Sequence, residues 1–140
     1  MKKVGKIMFI DDDDTFSFIL KKTFEIGGIK SRVICKTRAK EALLYLSTLD
    51  NEDFPELIFL DINMPVMDGF EFLEAYKSMG LNKAHEDTVI AMLSSSIYIN
   101  DEKKAHVFEE VQDFITKPID LERIQKFCDE HELELIEAHA

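Results

Sequence analysis

The run Leu57-Ile58-Phe59-Leu60 is apolar at every position and closes on Asp61. A strand without alternation is buried on both faces, which is the pattern of a parallel sheet covered by helices on each side. Such a strand delivers Asp61 to its C-terminal tip, the edge at which open α/β sheets bind ligands. The following loop, Ile62-Asn63-Met64-Pro65-Val66-Met67-Asp68-Gly69, is punctuated by Pro65, which removes a backbone donor, and by Gly69, which permits a positive φ. Taken alone, Asp61 reads as an ordinary solvated carboxylate at a strand exit. Three other segments change that reading.

In the first, Lys6-Ile7-Met8-Phe9-Ile10 runs into Asp11-Asp12-Asp13-Asp14. Adjacent carboxylates repel, so a compact acidic cluster calls for a cation. All-oxygen donors favour a hard ion, and Mg²⁺ takes one or two carboxylates while keeping several waters. Asp13 and Asp14 read as caps of the next helix, where negative groups suit the positive end of the dipole. Asp11 and Asp12, nearest the strand tip, read as metal ligands. In the second segment, Thr88-Val89-Ile90-Ala91-Met92-Leu93 ends in Ser94-Ser95-Ser96; in the third, Val111-Gln112-Asp113-Phe114-Ile115-Thr116 ends in Lys117-Pro118. Together the four tips offer carboxylates for Mg²⁺, one carboxylate as nucleophile, and a hydroxyl and an ammonium to hold phosphoryl oxygens.

Strands are expected near residues 7–10, 31–35, 57–60, 89–93 and 112–115. Helices are expected at about 14–26, 38–49, 70–79 and 100–110, and from about 121 onward. Their core stripes are Phe16, Ile19, Leu20 and Phe24; Ala39, Ala42, Leu43 and Leu46; and Leu121, Ile124 and Phe127. Gly27-Gly28 ends the first helix, and Asp120 caps the last. Five strands alternating with five helices predict an α/β fold, a five-stranded parallel doubly wound sheet.

The chain has 140 residues and 46% hydrophobic composition, enough for one domain with a packed core. We expect a single domain over residues 1–140, with its core at about 6–128 and an acidic extension over 129–140. Cys35 and Cys128 lie in separate elements without metal-ligand spacing and read as packed thiols of a reducing, cytoplasmic compartment. No stretch approaches the length of a membrane span or a signal-peptide core. The net charge of −11, without an aromatic-laced basic stripe, argues against direct nucleic-acid binding and against an anionic membrane surface. One helix and a short tail follow Lys117, so no attached output domain is expected.

The ordered set Asp11-Asp12, Asp61 with Met64-Pro65-x-x-Asp68-Gly69, Ser94, and Lys117-Pro118 resembles the receiver domain of two-component response regulators. The resemblance covers Lys6 to about Phe127 and points to a stand-alone, chemotaxis-type member. It implies a flavodoxin-like strand order of 2-1-3-4-5, with the site at the switch point between strands 1 and 3. It implies Asp61 as phosphoacceptor, receiving its phosphoryl group from a histidine kinase or a histidine phosphotransfer protein. Asp12 and Asp61 would bind Mg²⁺ directly, Asp11 through water, and Asn63 through its backbone carbonyl. Lys117 would hold a phosphoryl oxygen, with a cis bond to Pro118. Ser94 and Phe114 would act as the switch pair, and Asn63 and Ser96 would tune the lifetime of the phosphorylated state. The resemblance implies no enzyme activity beyond self-catalysed phosphorylation and dephosphorylation. The altered surface, near Lys103, Lys104 and His106, would meet an output target protein. A monomer is expected, with dimerisation through the fourth-helix face on phosphorylation.

Two rivals remain at this stage. Asp11-x-Asp13-x-Thr15 after an apolar strand also fits the nucleophile motif of haloacid-dehalogenase-type phosphatases, although it leaves the Met64-to-Gly69 loop unexplained and little room for a cap. The other is a degenerate receiver that acts unphosphorylated as a binding module.

Overall fold

In a computed structural model of the chain, residues 1–95, 103–105 and 108–138 are described. The elements run β1 (Lys2–Val4), β2 (Lys6–Ile10), α1 (Asp14–Ile26), β3 (Arg32–Lys36), α2 (Ala39–Ser47), β4 (Leu57–Asp61), α3 (Gly69–Ser78), α4 (Leu81–Ala84), β5 (Val89–Ser94), a helical segment α5 described over residues 103–105, β6 (Val111–Thr116), α6 (Leu121–Glu130) and β7 (Leu133–Leu135).

Five strands form one parallel sheet in the order β3-β2-β4-β5-β6. Counted among themselves in chain order this is 2-1-3-4-5, as expected. Side-chain alternation then divides the core into two layers. Met8, Ile10, Ile58, Leu60, Ile90 and Met92 pack with α2 and α3 on one face. Ile7, Phe9, Leu57, Phe59, Ala91 and Leu93 pack with α1 and α6 on the other. Phe9 stacks on Phe59 with ring centroids 5.2 Å apart, and Phe59 meets Phe127 edge-on at 5.3 Å. The unbroken apolar runs are therefore central strands whose alternate residues feed two different cores.

Three details differ from expectation. Among the described residues there are six helical segments where five were expected, because α3 ends before Gly80, which takes a left-handed conformation (φ 76°), and the chain restarts as the short α4, which buries Leu81. Ile19, assigned to the core stripe of α1, is 55% exposed; Ser17, Leu20 and Phe24 are the buried residues. Leu20 and Phe24 stand four apart, and Ile19 falls outside their arc. The core also reaches beyond residues 6–128. β1 and β7 pair in parallel, burying Val4, Leu133 and Leu135, and the Ala138 N–H donates to the Gly28 carbonyl at 2.7 Å. Much of the acidic extension is thus docked on the fold. Of the expected fourth helix over about 100–110, residues 103–105 are helical, 100–102, 106 and 107 lie outside the described residues, and 108–110 are a turn leading into β6 rather than helix.

Candidate functional site

Parallel strands in register end at one edge, and the polar residues sit where each apolar run stops. Ile10 is the register partner of Leu60, Asp61 of Leu93, and Ser94 of Thr116. Asp11, Asp61, Ser94 and Lys117 therefore arrive together at the C-terminal edge of the sheet. Asp11 and Asp61 are almost fully buried, and Asp12 is exposed.

The Lys117 ammonium lies 2.7 Å from Asp11 Oδ2 and 3.3 Å from Asp61 Oδ2, bridging the two carboxylates. The remaining oxygens take backbone donors. Asp11 Oδ1 accepts from the Asp13 N–H at 2.9 Å, and Asp61 Oδ1 accepts from the Asn63 N–H at 3.1 Å. Two buried anions share one cation, so charge is under-compensated. Burial pushes the Asp61 carboxyl up to about 6; the Lys117 charge opposes this, and the neighbouring Asp11 charge adds to it. For Lys117, burial acts against the ammonium, but its hydrogen bond to Asp11 and the charges of Asp11 and Asp61 prevail and raise its pKa.

One oxygen from each of Asp11, Asp12 and Asp61 lies within 4.8 Å of the others, so the three carboxylates form a cluster able to hold a metal. Its donors are all hard oxygens, and their net charge exceeds what Lys117 balances. That fits a small divalent cation such as Mg²⁺.

The backbone holds these groups in place. The Lys117 N–H donates to the Ser94 carbonyl at 2.7 Å, joining the loops after β5 and β6, and the Lys117–Pro118 peptide bond is cis. Ser94 is fully buried. Asp68 caps α3 in a reciprocal capping box with Glu71. The positive φ in the loop after Asp61 is at Val66 (72°), not at Gly69. Gly69 is needed for a different reason. A Cβ there would stand 2.7 Å from the Asp61 carbonyl oxygen and 2.9 Å from the Ile62 Cα, both backbone atoms. Gly69→Ala is accordingly expected to destabilise the protein by roughly 1–3 kcal/mol and to displace the segment bearing Asp61. Urea denaturation measures the first effect, and the rate of Asp61 modification measures the second.

The other sequence candidates are placed as follows. The Asn63 side chain is exposed beside Asp61. Phe114 is half-buried opposite Met92 in register and packs against the α2/α3 core with Phe108. Ser96 lies outside the described residues. Asp13 Oδ1 accepts the Thr15 and Phe16 N–H groups as the N-cap of α1, so the acid that a phosphatase reading requires is committed to the helix. By helical spacing Phe16 reads only as core. Its ring in fact lies under the Lys117 ammonium, 5.6 Å from the centroid, a proximity that helical spacing does not show.

A family model for the response regulator receiver domain matches residues 7–129. Protein PilG of Pseudomonas aeruginosa is 30% identical over 121 residues, covering 85% of this chain and 81% of its own. Among solved structures, the chemotaxis protein CheY4 of Vibrio cholerae superposes with a TM-score of 0.72 at 24% identity, covering 91% of this chain and 98% of that one. The phosphorylated cyanobacterial phytochrome response regulator RcpA does so with 0.71 at 25% identity, covering 92% and 91%.

Proposed function

Because the chain belongs to the response regulator receiver family, we propose that it carries a signal as a phosphoryl group on Asp61. The observation that carries this reading is the pair of buried carboxylates, Asp11 and Asp61, bridged by Lys117 at an edge where Asp12 and Ser94 also meet.

With a pKa near 6, Asp61 is ionised at neutral pH and can act as nucleophile. One of its oxygens attacks the phosphorus of a phosphohistidine on a kinase or phosphotransfer protein; the P–N bond breaks and an aspartyl phosphate forms. Alignment and charge stabilisation dominate such a transfer. Asp11, Asp12 and Asp61, with the Asn63 carbonyl, would hold Mg²⁺, which offsets the negative charge gathered between nucleophile and phosphoryl group. Lys117, already between Asp11 and Asp61, turns to a phosphoryl oxygen as a point charge. The Ser94 hydroxyl donates to another, and the loop after β5 shifts with it. Phe114, which has no hydroxyl, follows by packing alone. Asn63 and Ser96 set how readily water reaches the acyl phosphate. No catalysis of other substrates is assigned to the chain. It works in the cytoplasm, as a monomer that pairs through the α5 face when phosphorylated, and passes the change to a protein target.

Incubation with a small acyl phosphate tests the reading. Labelling is expected with Mg²⁺ and none with EDTA. Protons compete with the metal at Asp61, so apparent Mg²⁺ affinity is expected to fall about tenfold between pH 7 and pH 5. Calorimetric titration measures this directly, and labelling that persists in EDTA would overturn the metal's role.

A further inference from the structure

The chain carries a net −11, yet its basic residues are segregated. Between positions 21 and 40 there are seven Lys or Arg and one Glu, a local excess of six positive charges. Whole-chain charge conceals this cluster. Lys21, Lys30, Arg32, Arg38 and Lys40 are all exposed, and among the described residues none of them forms an ion pair, despite the surplus of acid elsewhere.

The cluster surrounds a sheet edge. β3 is the terminal strand of the five-stranded sheet, and among the described residues no strand lies beyond it. The Arg32 N–H donates inward to the Gly5 carbonyl, and the Lys36 carbonyl accepts inward from the Asp11 N–H. In a parallel ladder inward and outward residues alternate, so Val33 and Cys35 turn their N–H and C=O groups to the open side. Arg32 and Lys36 flank that edge on the α2 face, where the Lys36 ammonium rests 4.4 Å from the Tyr45 ring centroid. Lys21 stands on the α1 face beside Cys35. Arg38 and Lys40 extend the positive field past the end of the strand.

Charged edges deter pairing between identical strands, because like charges would oppose each other. The same charges attract an acidic strand. We infer that the β3 edge is a docking site for an extended acidic segment of a partner protein, which adds beside β3 through the Val33 and Cys35 backbone while its carboxylates meet Arg32, Lys36 and Lys40. A protein segment is favoured over nucleic acid on two grounds. Only a peptide can use the backbone donors and acceptors of an edge, and a long polyanion would meet the acidic remainder of the surface. The site lies on the edge strand, outside the carboxylate cluster, and its occupancy does not depend on phosphorylation.

The test uses the full chain and a short, blocked, fluorescent peptide in which Glu alternates with Thr. The peptide is expected to bind, to shift the Val33 and Cys35 amide resonances, and to release with added salt; a Lys-for-Glu version is expected not to bind. Arg32→Glu with Lys40→Glu should weaken binding at least about tenfold. Val33→Pro removes an outward N–H without touching the inward ladder. It should abolish binding while leaving acyl-phosphate labelling of Asp61 intact. If that variant fails to fold, the amide shifts of the unaltered chain decide. Failure of the Glu peptide to bind, binding that leaves the Val33 and Cys35 amides unmoved, or tighter binding of a DNA duplex of equal charge would each overturn the inference.

Discussion

Asp61→Asn is expected to eliminate phosphoryl uptake and, at the same time, to make the metal-free protein more stable at pH 7 by roughly 1–3 kcal/mol. The two effects have one cause. Asp61 is 3% exposed, beside a second buried carboxylate, and its pKa stands at about 6 against 3.8 for a free carboxyl. The native state therefore holds that proton more tightly than the unfolded chain does. Stability from this group is fully present below about pH 3.8 and is lost as pH rises through about 6. Asparagine keeps the shape and removes the ionisation, so the variant escapes that loss but has no nucleophile. Urea denaturation of both proteins across pH 4 to 8, in EDTA, measures the difference. It should grow with pH and shrink when Mg²⁺ is added, because only the wild type gains the full benefit of the metal. A less stable Asn variant at pH 7 would mean that Lys117 already compensates both carboxylates.

Lys117→Ala has the opposite sign. Its ammonium is the cation shared by Asp11 and Asp61, and removing it leaves two buried carboxylates facing each other. Loss of one partner from a buried ion pair is strongly destabilising, and partial exposure of the lysine reduces the effect; roughly 2–4 kcal/mol is expected at pH 7 in EDTA. Asp61 would then titrate still higher, so the loss should be smaller at pH 5, where one proton is taken up in the lysine's place. Phosphoryl uptake should fall steeply at every pH, since Mg²⁺ can replace the charge but not the contact to a phosphoryl oxygen. Denaturation at the two pH values, with and without Mg²⁺, separates the two contributions.

The site was legible because its residues end unbroken apolar runs. Leu57–Leu60 and Ile7–Ile10 need two covered faces, and the residue after each has to emerge at the sheet edge. Strand order was not contained in periodicity; it came with the family pattern. Other features depend on contacts that leave no local trace. Gly69 reads as a turn glycine, whereas its role is close approach to the Asp61 carbonyl, and the left-handed residue is Val66. β1 and β7 are three residues long, too short for an alternation signal, and they are brought together by pairing with each other and by burying Val4, Leu133 and Leu135 in the core. Ile19 sits next to Leu20, and one residue of helical rotation carries it from core to solvent. The basic edge was hidden because charge summed over a chain says nothing of where the charges gather.

The proposed function rests on Asp61 as the phosphoacceptor. Intact mass after incubation with Mg²⁺ and a small acyl phosphate, followed by borohydride reduction and peptide mapping, tests it most directly. The expected result is a gain of one phosphoryl group, labile in base, that maps to Asp61 and is absent in Asp61→Asn. A phosphoryl group on another residue, or free turnover of phosphate that depends on Asp11 and not on Asp61, would contradict it.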